Sequence, residues 1–261
     1  MVNRIWQIFF GRGIVGTPED FGTQGQLPTH PELLDWLAVE FREHGWSIKH
    51  MHRLLMTSRA YRLSSGFIDE SNMMKDADNL YWWRFRPQRL EAEIVRDSIL
   101  AVSGSLNRTM GGPAVFPQLS GEVLASMDKG IWHRKDDGPE VWRRSVYVYR
   151  KRGLPFPFFE VFDLPDQNTS CGRRSISTVP TQALTLMNNG FVLDQAARFA
   201  DRVEKLAPND RRKQVELAFE LALGRAPEPR ERDLVESFAH GRPLKDLTHV
   251  LFNLNEFLYL R

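Results

Sequence analysis

A single cysteine, Cys171, in 261 residues excludes an internal disulfide framework, and a lone thiol places the chain in neither redox compartment. Excess charge of one sign is missing as well. Lys and Arg number 35 against 33 Asp and Glu, so the net charge of +2 supplies no broad field for gathering nucleic acid or anionic lipid. No apolar run approaches the ~18 residues of a membrane-spanning helix. The opening Met1-Val2-Asn3-Arg4-Ile5-Trp6 lacks the basic-then-apolar layout of a signal peptide, and the chain reads as soluble. Fixed-period repeats and low-complexity tracts are absent, which argues against a solenoid or a disordered tail. Gly11, Gly13 and Gly16 lack the preceding strand and full pattern of a phosphate loop.

What is present is an ordinary globular composition, 42% hydrophobic and 26% charged, enough for one large domain or two small ones. The apolar stretch Val2 to Phe10 predicts a helix stopped by Gly11. Thr29-His30-Pro31-Glu32 has the spacing of a capping box, after which Leu33, Leu34, Leu37 and Phe41 mark a buried face. Gly45 ends that helix, and Ser47 caps the next, with Ile48, Met51, Leu54 and Leu55 at helical spacing. Pro87 opens a helix whose stripe is Leu90, Ile94, Ser98 and Ala101, closed by Gly104.

The region from Thr109 to Pro139 is rich in Gly, Asp and Pro and predicts little regular structure. In Arg144 to Arg150, Val146 and Val148 alternate with Ser145, Tyr147 and Tyr149, the pattern of a half-buried strand. Thr178-Val179-Pro180 starts a helix that Asn188-Asn189-Gly190 interrupts, and Val192, Ala196, Phe199 and Val203 resume the helical period. Asp210 caps a helix ending at Gly224, and Leu247, Val250, Leu251 and Leu254 stripe the last one. The expected fold is mainly α: an irregular helical bundle with a long loop-rich central excursion and a minor β element. It divides into an N-terminal helical part (1–105), a loop-rich part (106–177) with a strand near 144–150, and a C-terminal bundle (178–261).

The most suggestive chemistry gathers Arg143, Arg144, Arg150, Lys151 and Arg152 with Glu160, Asp163, Asp166, Cys171, Arg173 and Arg174. Arginine forks clamp carboxylates, sulfates or sugars, and Asp163 or Asp166 then serves as acid, base or acceptor. The same residues also suit an ion-pair network that pins an irregular segment. The ligand-binding candidates are Arg144, Asp163, Asp166, Arg173 and Arg174, and no catalytic residue is assigned. Cys171 becomes a nucleophile if His52 or His133 approaches it, but a small buried thiol is the favoured reading. Trp82 and Trp83 beside Arg84 and Arg86 favour core packing over an aromatic platform. His44, His50 and His52 invite a metal, yet His50 and His52 share no helix face and no carboxylate stands at zincin spacing, so no metal site is assigned. Arg89, Glu93 and Asp97, at steps of four, read as a helix-surface charge network.

Several phrases carry a resemblance. They are Met1-Val2-Asn3-Arg4-Ile5-Trp6, Phe10-Gly11-Arg12-Gly13, Pro28-Thr29-His30-Pro31-Glu32-Leu33-Leu34-Asp35-Trp36-Leu37 and Thr57-Ser58-Arg59-Ala60-Tyr61. Arg89-Leu90-Glu91-Ala92-Glu93, Met110-Gly111-Gly112-Pro113, Phe162-Asp163-Leu164-Pro165-Asp166 and Cys171-Gly172-Arg173-Arg174 follow. Pro180-Thr181-Gln182-Ala183-Leu184, Leu223-Gly224-Arg225 and Asn255-Glu256-Phe257 complete the set. Together they resemble the planctomycete-specific domain of unknown function that forms the C-terminal module of exported, cytochrome c-associated proteins.

The resemblance implies that residues 1–261 are one family module lacking its amino-terminal part, with Met1 an internal methionine of a longer exported polypeptide of the periplasm or cell surface. Other domains of that polypeptide, cytochrome c-like among them, are the implied partners. No Cys-x-x-Cys-His occurs, so covalent haem belongs to those separate domains and not to this chain. The expected role is a non-catalytic binding or assembly module whose 143–174 region contacts a partner domain, a glycan or a polyanion. The alternative is a hydrolase or lyase of extracellular polysaccharide using Asp163 or Asp166. Nucleic acid ranks last, since only the 143–152 segment is strongly basic.

Overall fold

The structure, a computed structural model, describes residues 1–119, 123, 132, 138–239 and 241–260. Among these, 49% helix in twelve α-helices stands against one two-stranded sheet, the mainly α architecture expected. Most of the 120–137 stretch, His133 included, lies outside the described residues. The chain forms two compact units, Met1–Gln88 with Ser170–Arg173 and Leu260–Arg261, and Arg89–Thr169 with Arg174–Tyr259. The first border therefore falls at Gln88, because the helix that follows packs into the second unit.

In the first unit, α1 (Val2–Phe10) buries Ile5, Trp6 and Phe10 and stops at Gly11, whose left-handed backbone returns its N–H to the Gln7 carbonyl. Asn3 faces inward and pairs with Val15 both ways: its oxygen accepts from the Val15 N–H at 2.9 Å and its NH₂ donates to the Val15 carbonyl at 3.0 Å. A Cβ on Gly13 would lie 2.5 Å from that carbonyl oxygen and 2.6 Å from the Asn3 nitrogen, so only glycine fits.

Helix α2 (Pro31–Glu43) starts at the expected proline, but the capping box does not form. The Thr29 hydroxyl donates instead to the Ile14 carbonyl at 3.3 Å, which ties the preceding loop and leaves the cap to His30, whose side chain makes no capping bond. Helix α3 (Ile48–Met56) is capped by Ser47 as its sequence predicts. Leu37, Phe41, Met51 and Leu55 close the core over α1. The short α4 (Glu70–Lys75), capped by Asp69, precedes Trp82, which packs edge-on to Trp6 and Phe10.

The two-stranded sheet pairs β1 (Gln88–Arg89) with β2 (Tyr259–Leu260). Residues expected at the start of a helix from Pro87 are thereby used as a ladder, and α5 runs from Ala92 to Ser103. Its buried face is Ala92, Val95, Arg96, Ile99, Leu100 and Ser103, while Ile94 of the expected stripe is 45% exposed. Counting Leu90 as helical rotated the predicted face by about one residue.

Next come α6 (Pro157–Val161), α7 (Pro180–Asn188) and the central α8 (Gly190–Leu206), capped by Asn189. Val192, Ala196, Phe199 and Val203 of α8 are buried as their spacing requires. Helices α9 (Arg211–Leu223), α10 (Pro229–Ala239), α11 (Leu244–Phe252) and α12 (Asn255–Leu258) complete the second unit. Helix α8 packs against α5, α7, α9 and α11.

The strand expected at 144–150 is not there. Ser145–Tyr147 is a 3₁₀ turn, with Val146 73% exposed and Val148 buried. One bridging residue and several side chains take the backbone groups of this segment: the Tyr147 carbonyl accepts from the Val115 N–H at 2.8 Å and the Tyr149 N–H donates to the Val115 carbonyl at 2.9 Å. The Arg96 guanidinium, 1% exposed, donates to the Val141 carbonyl at 2.8 Å, the Arg143 carbonyl at 3.0 Å and the Ser145 hydroxyl at 3.2 Å. Asp97 accepts from the Ser145 N–H at 2.7 Å. Isolated bridges join Asn107 to Arg143 and Val115 to Val148. Arg143 in turn donates to the carbonyls of Thr109, Gly111 and Pro113, and Gly111 and Gly112 take positive φ to curl round it.

Replacing Arg96 with methionine keeps the volume but leaves two buried carbonyls without donors, at a cost of about 3 kcal/mol. Urea unfolding followed by circular dichroism is expected to show that loss, and limited proteolysis to open the 138–148 segment first. Wild-type stability in Arg96→Met would contradict this account of the excursion.

Candidate functional site

Two carboxylates, Glu93 and Asp163, are held by arginines. Glu93, in the first turn of α5, receives both Nη groups of Arg174 at 2.7 and 3.1 Å and is paired with Arg150, while Glu91 lies 3.2 Å from Arg174. Asp163, just after α6, is paired with the buried Arg89 and accepts from the Ser177 hydroxyl at 2.6 Å and the Ser177 N–H at 2.9 Å. Gln182 closes this node by donating to the carbonyls of Val161 and Ser177.

Burial alone would raise both carboxyls. For Glu93 the bonds from Arg174 and from its own N–H, with the charges of Arg174 and Arg150, outweigh burial and hold the group below its ordinary value. For Asp163 the two Ser177 bonds and Arg89 do the same. A carboxyl held ionised by arginine and already accepting several bonds is poorly suited to general acid or base work.

The remaining candidates are dispersed. Arg144 is half exposed, its Nε 3.9 Å from Asp97. Asp166 is exposed and accepts from the N–H and amide of Asn168, closing a local turn. Arg173 is exposed and groups with the first unit, whereas Arg174 belongs to the second. Cys171 is exposed, which corrects the expectation of a buried thiol; it donates to the Arg173 carbonyl, and the His52 ring packs on Phe9. His133 lies outside the described residues.

A different surface has the shape of a ligand site. An open groove of about 500 Å³ is lined by Ser103, Gly104 and Ser105 after α5, by Trp142, and by Arg198, Asp201, Arg202 and Lys205 of α8. The Arg198 guanidinium lies over the Trp142 ring at 4.3 Å, and Arg202 donates to the carbonyls of Ala101 and Val102, capping α5. Sequence reasoning passed over this face, although cations at 198, 202 and 205 repeat at helical spacing opposite the buried stripe. In the first unit, and among the described residues, one set of metal-capable groups converges: Glu40, His44 and His50.

Over residues 1–239 the sequence matches the family described as PSD1, a protein of unknown function (DUF1553). The chain belongs to this family. No curated protein and no solved structure matches it. Phrases that looked separate in the family pattern are joined by the fold. Arg225, of Leu223-Gly224-Arg225, forks onto Glu256 of Asn255-Glu256-Phe257 at 2.6 and 2.7 Å and onto Glu231 at 2.6 and 2.8 Å. Met110-Gly111-Gly112-Pro113 wraps the Arg143 guanidinium, and Phe162-Asp163 meets Arg89.

The lowered carboxyls tie stability to pH. Unfolded Glu and Asp take up protons near pH 4, whereas folded Glu93 and Asp163 stay charged to lower pH. Below about pH 5 the unfolded state therefore binds more protons, and stability falls as the solution is acidified through the folded values. The urea midpoint is expected to drop between about pH 5 and about pH 3, and to drop less steeply in a Glu93→Gln, Asp163→Asn variant that is already weaker at neutral pH. An equally steep decline in that variant would assign the acid sensitivity to other groups.

Proposed function

We propose that the chain is a non-catalytic binding and assembly module whose ligand is an anionic glycan held along the α8 face. It serves an exported, cytochrome-linked polypeptide in which other domains carry the haem. The placement in such a polypeptide is supported by the order and number of the family phrases in this sequence. The observation that carries the binding reading is the Arg198 guanidinium laid over Trp142 at the edge of the open groove. A guanidinium resting over an aromatic ring is already partly ordered and loses little further freedom when it meets a carboxylate or sulfate. Lys205 adds a point charge, and Asp201 accepts from sugar hydroxyls.

The polysaccharide-cleaving alternative needs carboxylates converging on an open pocket, one poised to give a proton and one to attack or activate water. Asp163 and Glu93 are instead each enclosed by arginine.

Titration calorimetry with sulfated and uronate-rich polysaccharides is expected to give saturable binding that weakens as salt rises, with a neutral glucan and duplex DNA as controls. Arg198→Ala combined with Lys205→Ala should lower affinity at least about tenfold at unchanged helicity, since two charge-assisted contacts are removed. No shortened saccharide should appear on prolonged incubation. Unaltered affinity in the double variant would reject the groove, and cleavage products would reinstate the hydrolase or lyase reading.

A further inference from the structure

We propose that Glu40, His44 and His50 form a binding site for a divalent transition ion of the zinc class. Glu40 and His44 stand four residues apart on α2 and so share one face. The chain then reverses through Gly45 and Trp46, both with positive φ, and the Ser47 cap starts α3 so that its first turn presents His50 to the same spot. The His44 and His50 rings lie parallel, 3.9 Å apart and 6° from coplanar alignment.

The donor atoms are close to the spacing an ion requires. Glu40 Oε1 is 3.2 Å from His44 Nδ1 and 2.9 Å from His50 Nε2, and the three ligand atoms lie within 4.8 Å of one another. A tetrahedral zinc with bonds of about 2.1 Å holds its ligands about 3.4 Å apart, so an ion seats with small side-chain rotations. Two imidazoles and one carboxylate form a donor set that suits zinc and its neighbours and not magnesium or calcium, which prefer all-oxygen shells. Side-chain exposures of 19% for Glu40, 32% for His50 and 46% for His44 leave an entry path. A fourth coordination position stays open to water or to a donor from another molecule.

Binding has a defined local consequence. The bond between His44 Nδ1 and the Glu40 carbonyl, at 3.0 Å, is exchanged for the metal bond, as is the contact of His50 with Glu40. The ion then links α2 to α3, and a ligand that binds the folded state alone stabilises it by mass action. His52 stands apart, its ring packed on Phe9. The site draws on the first unit alone and is independent of the α8 groove.

The test is calorimetric titration of the full chain with Zn²⁺ after chelator treatment, with Co²⁺ absorption as a second probe of nitrogen ligation. One ion per chain is expected, with affinity in the micromolar range, falling as the solution is acidified because ligating imidazoles must be neutral. His50→Ala and Glu40→Gln should each weaken binding at least about thirtyfold, while His52→Ala and Cys171→Ser bind as the unaltered chain does. Zn²⁺ should raise the melting temperature of the unaltered chain and of the two controls only. Should His50→Ala fail to fold, Glu40→Gln, which keeps an acceptor for the neighbouring rings, carries the comparison. No saturable binding at millimolar Zn²⁺, or equal affinity in Glu40→Gln, would overturn the proposal.

Discussion

The second unit depends on the guanidinium of Arg96. An irregular segment that packs against a helix buries peptide groups, and each must find a partner. Between Val141 and Ser145 the Nη groups of Arg96 donate to the Val141 and Arg143 carbonyls, and the carboxylate of Asp97, its neighbour on α5, accepts from the Ser145 N–H. The Asn107 N–H donates to the Trp142 carbonyl, and the Gly138 carbonyl accepts from the N–H groups of Val141 and Trp142. The fork reaches two carbonyls and a hydroxyl at once, which an ammonium on a single stem does less well. Arg143, placed by this grip, passes it on to the carbonyls of Thr109, Gly111 and Pro113 while its ring-facing side rests on Tyr147 at 4.0 Å. Two arginines in relay, with the isolated bridges at Asn107 and Val115, thus fix the described residues 106–115 against 141–148.

The same logic explains why Asp163 is better understood as a joint than as an acid. It has φ of 61°, the left-handed conformation that commonly ends a helix, and Leu164 N–H returns to the Phe159 carbonyl at 3.0 Å. Aspartate tolerates that conformation at a modest cost. Arg89 and Ser177 offset it by filling the carboxylate, and buried Phe162 anchors the turn from the other side. Freeing Asp163 for chemistry would loosen α6 and the entry to α7 together.

What local chemistry governs was readable in the chain. Ser47 and Asp210 cap where a hydroxyl and a carboxylate precede apolar periodicity, and Gly11, Gly104 and Gly224 end their helices with positive φ. The α8 stripe was equally plain. What failed did so because the deciding partner is remote in sequence. The alternation of Val146 and Val148 signals a strand only if another strand is present to pair with it, and Arg96, some fifty residues earlier, had already taken the neighbouring carbonyls. Thr29 left its capping role for a carbonyl fifteen residues back. The candidate site followed the same pattern. Arg174 could be picked out as an arginine with work to do, but its partner Glu93 lies 81 residues away, and that pairing turns a ligand clamp into a structural tie. Glu40 stands at no zincin spacing and meets His50, ten residues on, only because the chain reverses between α2 and α3.

The near-zero net charge conceals this division of labour. Arg89, Arg143, Arg150, Arg174 and Arg225 are each engaged by acidic side chains or backbone carbonyls, so their positive charge contributes little field at a distance. Arg225 shows the limit of this use: gripped by Glu231 and Glu256, it is pushed to still stronger basicity and is permanently charged, yet it joins α9 to α10 and α12 and is committed to that task. Arg198 differs in kind, since its guanidinium lies over the aromatic face of Trp142, 4.3 Å from the ring centroid, at the edge of the α8 groove. The proposed recognition on α8 therefore relies on donor geometry at contact range and not on a long-range field, in keeping with a net charge of +2.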